Sequence, residues 1–241
     1  MTKSRKGPAP FDFDAKDNQG YRYTTNAPLS SIVANQRLTN ITVSWIKKQR
    51  GIKSVMDLGC GDGAYTAQLA KACPRVKFSG TDPARDAIRV AKKIYPDISF
   101  GVADLLKPRS LPQPAPEAGI IRGVIHHVPD ARQGVINSVR YSRKLLMIEP
   151  NGWNPILKVI EKVSPYHRAH GERSFTSQKL TGWVREGGSI VTKTSFVGLV
   201  PFFCPSWLAK FLKRIEPAVE NSFLAPLVCA QTILEIQRPR Q

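Results

Sequence analysis

At 241 residues and 41% hydrophobic content, the chain is long enough for one well-buried α/β domain and too apolar to be disordered throughout. It has no apolar run of the roughly 20 residues that cross a bilayer and no signal-peptide core near Met1, so a cytoplasmic location is expected. Its net charge of +18, from 36 Lys and Arg against 18 Asp and Glu, makes it a basic protein, which suits nucleic acid, anionic lipid or small anions without choosing among them.

Residues 1–29 begin with Lys3, Arg5 and Lys6 and continue through scattered Pro, Asn and Gly. They read as a flexible basic leader, with Phe11, Phe13, Tyr21 and Tyr23 able to anchor it. Residues 30–241 read as a single domain. Apolar positions from Ile32 to Ile46 predict one or two helices before the first strand. Ser54 to Leu58 is then a short buried strand, and Gly59, Cys60, Gly61, Asp62 and Gly63 form a tight turn into a helix. A helix N-terminus behind a glycine turn suits a nucleotide-like ligand. The spacing Gly59-x-Gly61-x-x-Ala64 also satisfies the relaxed dinucleotide fingerprint. Asp57 weighs against a dinucleotide, because a carboxylate there suits a cationic amine and sits poorly beside a pyrophosphate.

The second strand ends at Asp82, about twenty residues past the glycine turn, where a carboxylate can accept from both ribose hydroxyls. Pro83 then suits the first turn of the next helix. The third strand ends at Asp104 and Leu105, and residues 107–117, with four prolines, are a loop. The fourth strand runs through Ile120, Ile121, Arg122 and Gly123 to His126 and His127, with Pro129 and Asp130 starting a helix. The fifth, Lys144 to Pro150, carries Glu149 at its end. Such alternation predicts a doubly wound, mostly parallel, seven-stranded Rossmann-like α/β sheet with helices on both faces. Ser189–Val200 and Val228–Ile236 are its last two strands. Cys60, Cys73, Cys204 and Cys229 show no C-x-x-C spacing, so a disulfide or zinc framework is not expected.

The stretch from Asp57 to Gly63, an acid, an apolar residue and then Gly-x-Gly-x-Gly, closely resembles the first motif of class I S-adenosylmethionine-dependent methyltransferases. The resemblance is to small-molecule and lipid-type members, good over residues 50–150 and looser beyond. It implies that S-adenosyl-L-methionine is the cofactor and that the last two strands pair antiparallel at the sheet edge. Asp57 would approach the methionyl amine, with Gly59, Cys60 and Gly61 passing under the methionine part. Asp82 and Pro83 would meet the ribose, and Asp104 and Leu105 the adenine. Arg122, unusual in such a strand, and Gly123, which leaves room beside the sulfur, complete the cofactor set.

For a hydroxyl acceptor the enzyme would also remove a proton. His126 or His127 is the candidate base, with Glu149 and His167 behind them; a packed histidine is the competing reading for His127. No metal is expected, since His167-x-x-His170 lacks the i, i+4 spacing of helical metal pairs. Residues 151–225 are expected to hold the substrate and cap elements. Within them, Trp207, Leu208, Phe211, Leu212 and Ile215 share a helical side opposite Lys210, Lys213 and Arg214. Residues 201–215 therefore read as a pocket lid or core helix, or as a peripheral contact with an anionic membrane. Both functional forms point to a small hydrophobic acceptor, lipid, quinone-like or secondary-metabolite-like. Two rivals stay open: an RNA methyltransferase, motivated by the charge, and a non-catalytic cofactor-binding partner subunit. Against the first, Glu149-Pro150-Asn151-Gly152-Trp153 only echoes the Asn/Asp-Pro-Pro-aromatic motif for exocyclic amines. Oligomeric state is left open.

Overall fold

The computed structural model describes residues 28–49, 51–163, 173–202 and 204–239. The leader readings at Phe11 to Tyr23 and the candidates His167 and His170 lie outside the described residues. Residues 29–48 contain neither Gly nor Pro, and they form one continuous helix, α1 (Leu29–Lys48), ending on Lys47 and Lys48 at the negative end of its dipole.

Five parallel strands follow: β1 (Ser54–Leu58), β2 (Lys77–Asp82), β3 (Ser99–Val102), β4 (Ala118–Arg122) and β5 (Lys144–Pro150). With β6 (Ile190–Val197) and β7 (Gln231–Gln237) they make one seven-stranded sheet in the order β3-β2-β1-β4-β5-β7-β6. β7 runs antiparallel to both β5 and β6, as expected. The chain winds outward from β1 to β3, then crosses back to β4. The crevice at the carboxyl ends of β1 and β4 is therefore the topological switch point, where open α/β sheets bind ligands.

The central strands read as continuous apolar runs because both faces are covered. Met56, Ile121 and Met147 point into one core, which α4 (Ala131–Tyr141) closes with Val135 and Val139, and α6 (Ser177–Glu186) with Leu180 and Val184. Val55, Ile120 and Leu146 point into the opposite core, closed by Leu38, Trp45 and Ile46 of α1 and Leu69 of α2 (Ala64–Ala72). The remaining helices are α3 (Arg85–Ile94), α5 (Pro155–Val163), α7 (Ser206–Glu220) and the short α8 (Ala225–Val228).

Three boundaries differ from expectation. Pro83 precedes the cap residue Ala84 rather than opening α3, because Asp82 first turns the chain by accepting from Ala84 N at 2.8 Å. The last strand begins at Gln231, not Val228, since Pro226 in a first helical turn draws 225–228 into α8. β6 stops at Val197, where Gly198 adopts φ +82°.

Candidate functional site

The glycine turn is held from below and from both sides. Gly59 N and Cys60 N both donate to Thr81 O, at 2.7 and 3.0 Å, tying the turn to β2. Gly59 and Gly63 have φ of +91° and +78°. A Cβ on Gly59 would lie 2.3 Å from Val124 Cγ2, and one on Gly63 2.7 Å from Phe100 Cζ. Neither position tolerates a side chain, so the turn packs closely against Val124 and Phe100. Gly123, with φ +65°, is different: its Cβ would meet only His126 Cε1, at 3.6 Å. The end of β4 thus has room beside it.

Three acids stand at the ends of adjacent strands. Asp57 is buried at 2% exposure and accepts from Thr66 Oγ1 at 2.6 Å. Burial pushes its pKa up to about 6, against the opposing pull of the Thr66 hydrogen bond and the Arg122 charge. A buried carboxylate of this kind gains from an added cation. Asp82 is half-buried; one oxygen accepts from Gly61 N at 2.9 Å and the other from Ala84 N. A carboxylate oxygen can accept from more than one donor, so these bonds leave the group able to take a ligand hydroxyl. Pro83 beside it is exposed. Asp104 is half-buried, fixed by Leu106 N at 2.9 Å and approached by Lys107 Nζ at 3.7 Å, and Leu105 is buried. The side chain of Cys60 is packed inside against Gly80, so only its backbone faces the turn.

Arg122 explains its odd place at the end of a strand. Its guanidinium donates to Asn35 Oδ1 of α1 and lies 4.2 Å over the ring of Tyr65 on α2. Tyr65 in turn donates to Thr42 Oγ1 at 2.6 Å, and burial pushes its hydroxyl up to about 12. One cation therefore clasps two helices to β4 while sitting close enough to Asp57 to favour its ionised form. Sequence reasoning gives no cofactor-site role to Asn35, Tyr65 or Thr66, and reads Asn35 only as part of a stretch, Leu29 to Arg37, that could contribute to a substrate lid. Thr66 carries a signal, since the first turn after a glycine loop faces back to the strand end; Asn35 carries none.

Glu149 is 1% exposed and saturated. Oε1 accepts from Val124 N and Ile125 N at 2.8 and 2.9 Å, and Oε2 from His126 N at 3.2 Å. Oε2 also lies 2.8 Å from His126 Nδ1. An acid taking three backbone N–H groups has no free oxygen to act as a base, which corrects the expectation for Glu149. It folds the turn after β4 and orients the imidazole. With the carboxylate as acceptor, Nδ1 of His126 is the donor to Glu149, and Nε2 is the ring atom left for another partner. The half-buried His127 ring lies 3.8 Å from that of His126, tilted by 42°. Among the described residues no three His, Cys, Asp or Glu side chains gather as metal ligands.

Residues 55–144 match the family model described as a methyltransferase domain. Trans-aconitate 2-methyltransferase from Azoarcus sp. (strain BH72) is 36% identical over 52 residues, 22% of this chain and 21% of that protein. The enzyme of the same name from Afipia carboxidovorans is 38% identical over 48 residues, 20% and 19% of the two chains. The matches thus span about a fifth of the length of these curated relatives. Among solved structures, magnesium protoporphyrin IX methyltransferase from Synechocystis PCC 6803 with bound SAH superposes with a TM-score of 0.65 at 16% identity, covering 94% of each chain. A methyltransferase from Haloferax volcanii, in complex with the Trm112 methyltransferase activator, gives 0.66 at 14% identity over 98% of this chain and all of that one. The fold is that of these methyltransferases, and the methyltransferase-domain match covers residues 55–144.

Proposed function

We propose that this chain, which carries a methyltransferase domain over residues 55–144, transfers a methyl group from S-adenosyl-L-methionine to a small hydrophobic acceptor. The observation that carries the reading is the row of carboxylates Asp57, Asp82 and Asp104 at three adjacent strand ends around a glycine turn that excludes side chains. The residues present fit that cofactor. The buried Asp57 gains by pairing with its amine, Asp82 accepts from the ribose hydroxyls, and Asp104 accepts from the adenine amine while Leu105 packs on the ring. Arg122, already spread over Asn35 and Tyr65, supplies positive charge for the methionyl carboxylate. When bound, the cofactor supplies a methyl group already activated by its sulfonium.

What remains for the protein is to hold the acceptor in line and take up its proton. His126 is the base in this reading: its Nδ1 is engaged by Glu149, which leaves Nε2 to take the proton, and its ring edge borders the open space at Gly123. Glu149 is the positioning residue. His127 closes the other side of the ring and steers the acceptor. Exposed apolar side chains in the segments beyond β5 and β6, among them Ile156, Trp207 and Phe211, favour an apolar acceptor over a charged one. The short matches to trans-aconitate 2-methyltransferases reach too little of the chain to carry an acceptor with them.

The test is to incubate the protein with cofactor labelled in the methyl group and a whole-cell extract, then to partition the products. Label in the organic phase is the expected result. Label in the RNA fraction would replace this reading with the RNA methyltransferase. Cofactor binding with no label in any fraction would leave a non-catalytic cofactor-binding subunit.

A further inference from the structure

Helices α5, α7 and α8 share one rim of the molecule. Pro150 at the end of β5 and Val197 at the end of β6 both pair with Gln231 at the start of β7, so the segments beyond all three meet at the carboxyl end of the sheet. Asn151 donates to Pro226 O at 2.8 Å, and Asn154 to Val228 O at 3.1 Å, fixing α5 against α8. α7 is anchored from its inner side. Glu216 accepts from Leu199 N at 2.8 Å and Glu220 from Gly198 N at 3.0 Å, and Arg37 of α1 bridges both carboxylates.

Of the readings of 201–215, this anchoring goes against a core helix packed through its apolar side. The side facing the domain carries Ala209 and Glu216, with Leu208 and Leu212 only half-buried. Trp207 and Phe211 face solvent, at 71% and 56% exposure. Ile156, Val159 and Val163 of α5 stand out equally, at 59 to 67%, and Phe223 reaches 89%. Large apolar side chains exposed in several segments at one end of the sheet point to a binding surface there.

The charge around it says what it binds. Between Leu199 and Val228 the acids are Glu216 and Glu220, both turned inward to Arg37. Every solvent-facing charge of that stretch is therefore positive: Lys210, Lys213 and Arg214, one turn from Trp207 and Phe211. Lys162 adds another cation on α5. A second copy fits badly, because a two-fold contact would set these cations against themselves. RNA would find the positive charge and could stack on Trp207, Phe211 and Phe223, but it makes no use of the aliphatic Ile156, Val159 and Val163. Aliphatic and aromatic side chains fringed by long basic ones match the boundary between lipid headgroups and acyl chains. We propose that the rim formed by α5, α7 and residues 223–228 docks onto an anionic bilayer surface. No described helix is long and apolar enough to cross it. On the methyltransferase reading, docking sets the switch-point crevice against the source of an apolar acceptor.

The experiment is co-sedimentation of the full chain with vesicles of phosphatidylcholine alone and of phosphatidylcholine with about one-third phosphatidylserine. The protein should pellet with the anionic vesicles and stay in solution with the neutral ones. The paired substitutions Trp207→Ser and Phe211→Ser should weaken binding at least about tenfold, and Lys210→Glu with Lys213→Glu and Arg214→Glu about 100-fold. Neither set should change the thermal melt. Failure to bind anionic vesicles, or binding equal in parent and variants, overturns the proposal. So does a dimer in sedimentation velocity that Trp207→Ser dissociates, which gives the rim to a second copy, or RNA that binds through the same residues. S-adenosylhomocysteine binding, measured on the same preparation, separates the two ideas. Its presence without vesicle binding refutes docking alone; vesicle binding without it refutes the cofactor reading alone.

Discussion

Replacing Asp57 by Asn separates stability from ligand binding. Burial raises the Asp57 pKa from 3.8 to about 6, so the ionised side chain opposes folding. A rise of that size corresponds to about 3 kcal/mol at a pH where the group is charged in both states. In the unfolded chain the group ionises near pH 4, and in the folded chain near 6. The unfavourable contribution therefore grows as pH rises between those values and is constant above them. Asn keeps an oxygen for the Thr66 hydroxyl and removes the charge, though its amide hydrogens need partners. The variant should be more stable than the parent by about 1–3 kcal/mol at pH 8, or about 2–8 °C in melting temperature, and close to parity at pH 4.5. The same substitution should weaken S-adenosylhomocysteine binding by about 10–100-fold, through loss of the partner for its amine. Thermal melts at the two pH values and calorimetric titration at pH 8 measure both effects. A variant less stable than the parent at pH 8, or one that binds as tightly, would refute the reasoning.

Asp82→Ala should leave the fold intact and reduce cofactor affinity about 10–100-fold, read by the same titration; unchanged affinity would mean that the ribose lies elsewhere. Glu149→Ala removes the acceptor of three backbone N–H groups and should cost about 3–5 kcal/mol, seen as a lower denaturant midpoint, whereas Glu149→Gln should retain part of that stability. His126→Gln should lower kcat far more than it weakens cofactor binding; His127→Ala should mainly raise KM for the acceptor. Arg37→Ala leaves Glu216 and Glu220 buried without their shared cation and should cost about 2–4 kcal/mol; an unchanged melt would show that α7 is held by other contacts.

The winding of the sheet could be read from the chain because strands covered on both faces spell themselves out as apolar runs ending in turn residues. The places of Asp57, Asp82 and Asp104 at strand ends were legible for the related reason that each closes an apolar run before a turn. Glu149 followed the same pattern yet has a different part. Its partners are the backbone N–H groups of a turn more than twenty residues earlier, which no side-chain pattern reveals. The periodicity of α7 told which residues share a side and not which side packs. The answer lay in Glu216 and Glu220, whose burial depends on Arg37 in a helix at the other end of the chain. The last strand reads as starting at Val228 because the run is apolar, and it starts later because Pro226 draws 225–228 into a helical turn.

The most direct measurement is calorimetric titration of the purified protein with S-adenosylhomocysteine, with NADH run beside it, since both satisfy a glycine turn and only one uses Asp57. Binding of S-adenosylhomocysteine in the micromolar range, with no heat from NADH, is the predicted result. Binding of NADH in its place would contradict the account at its centre, because the carboxylate beneath Gly59 would then face a pyrophosphate.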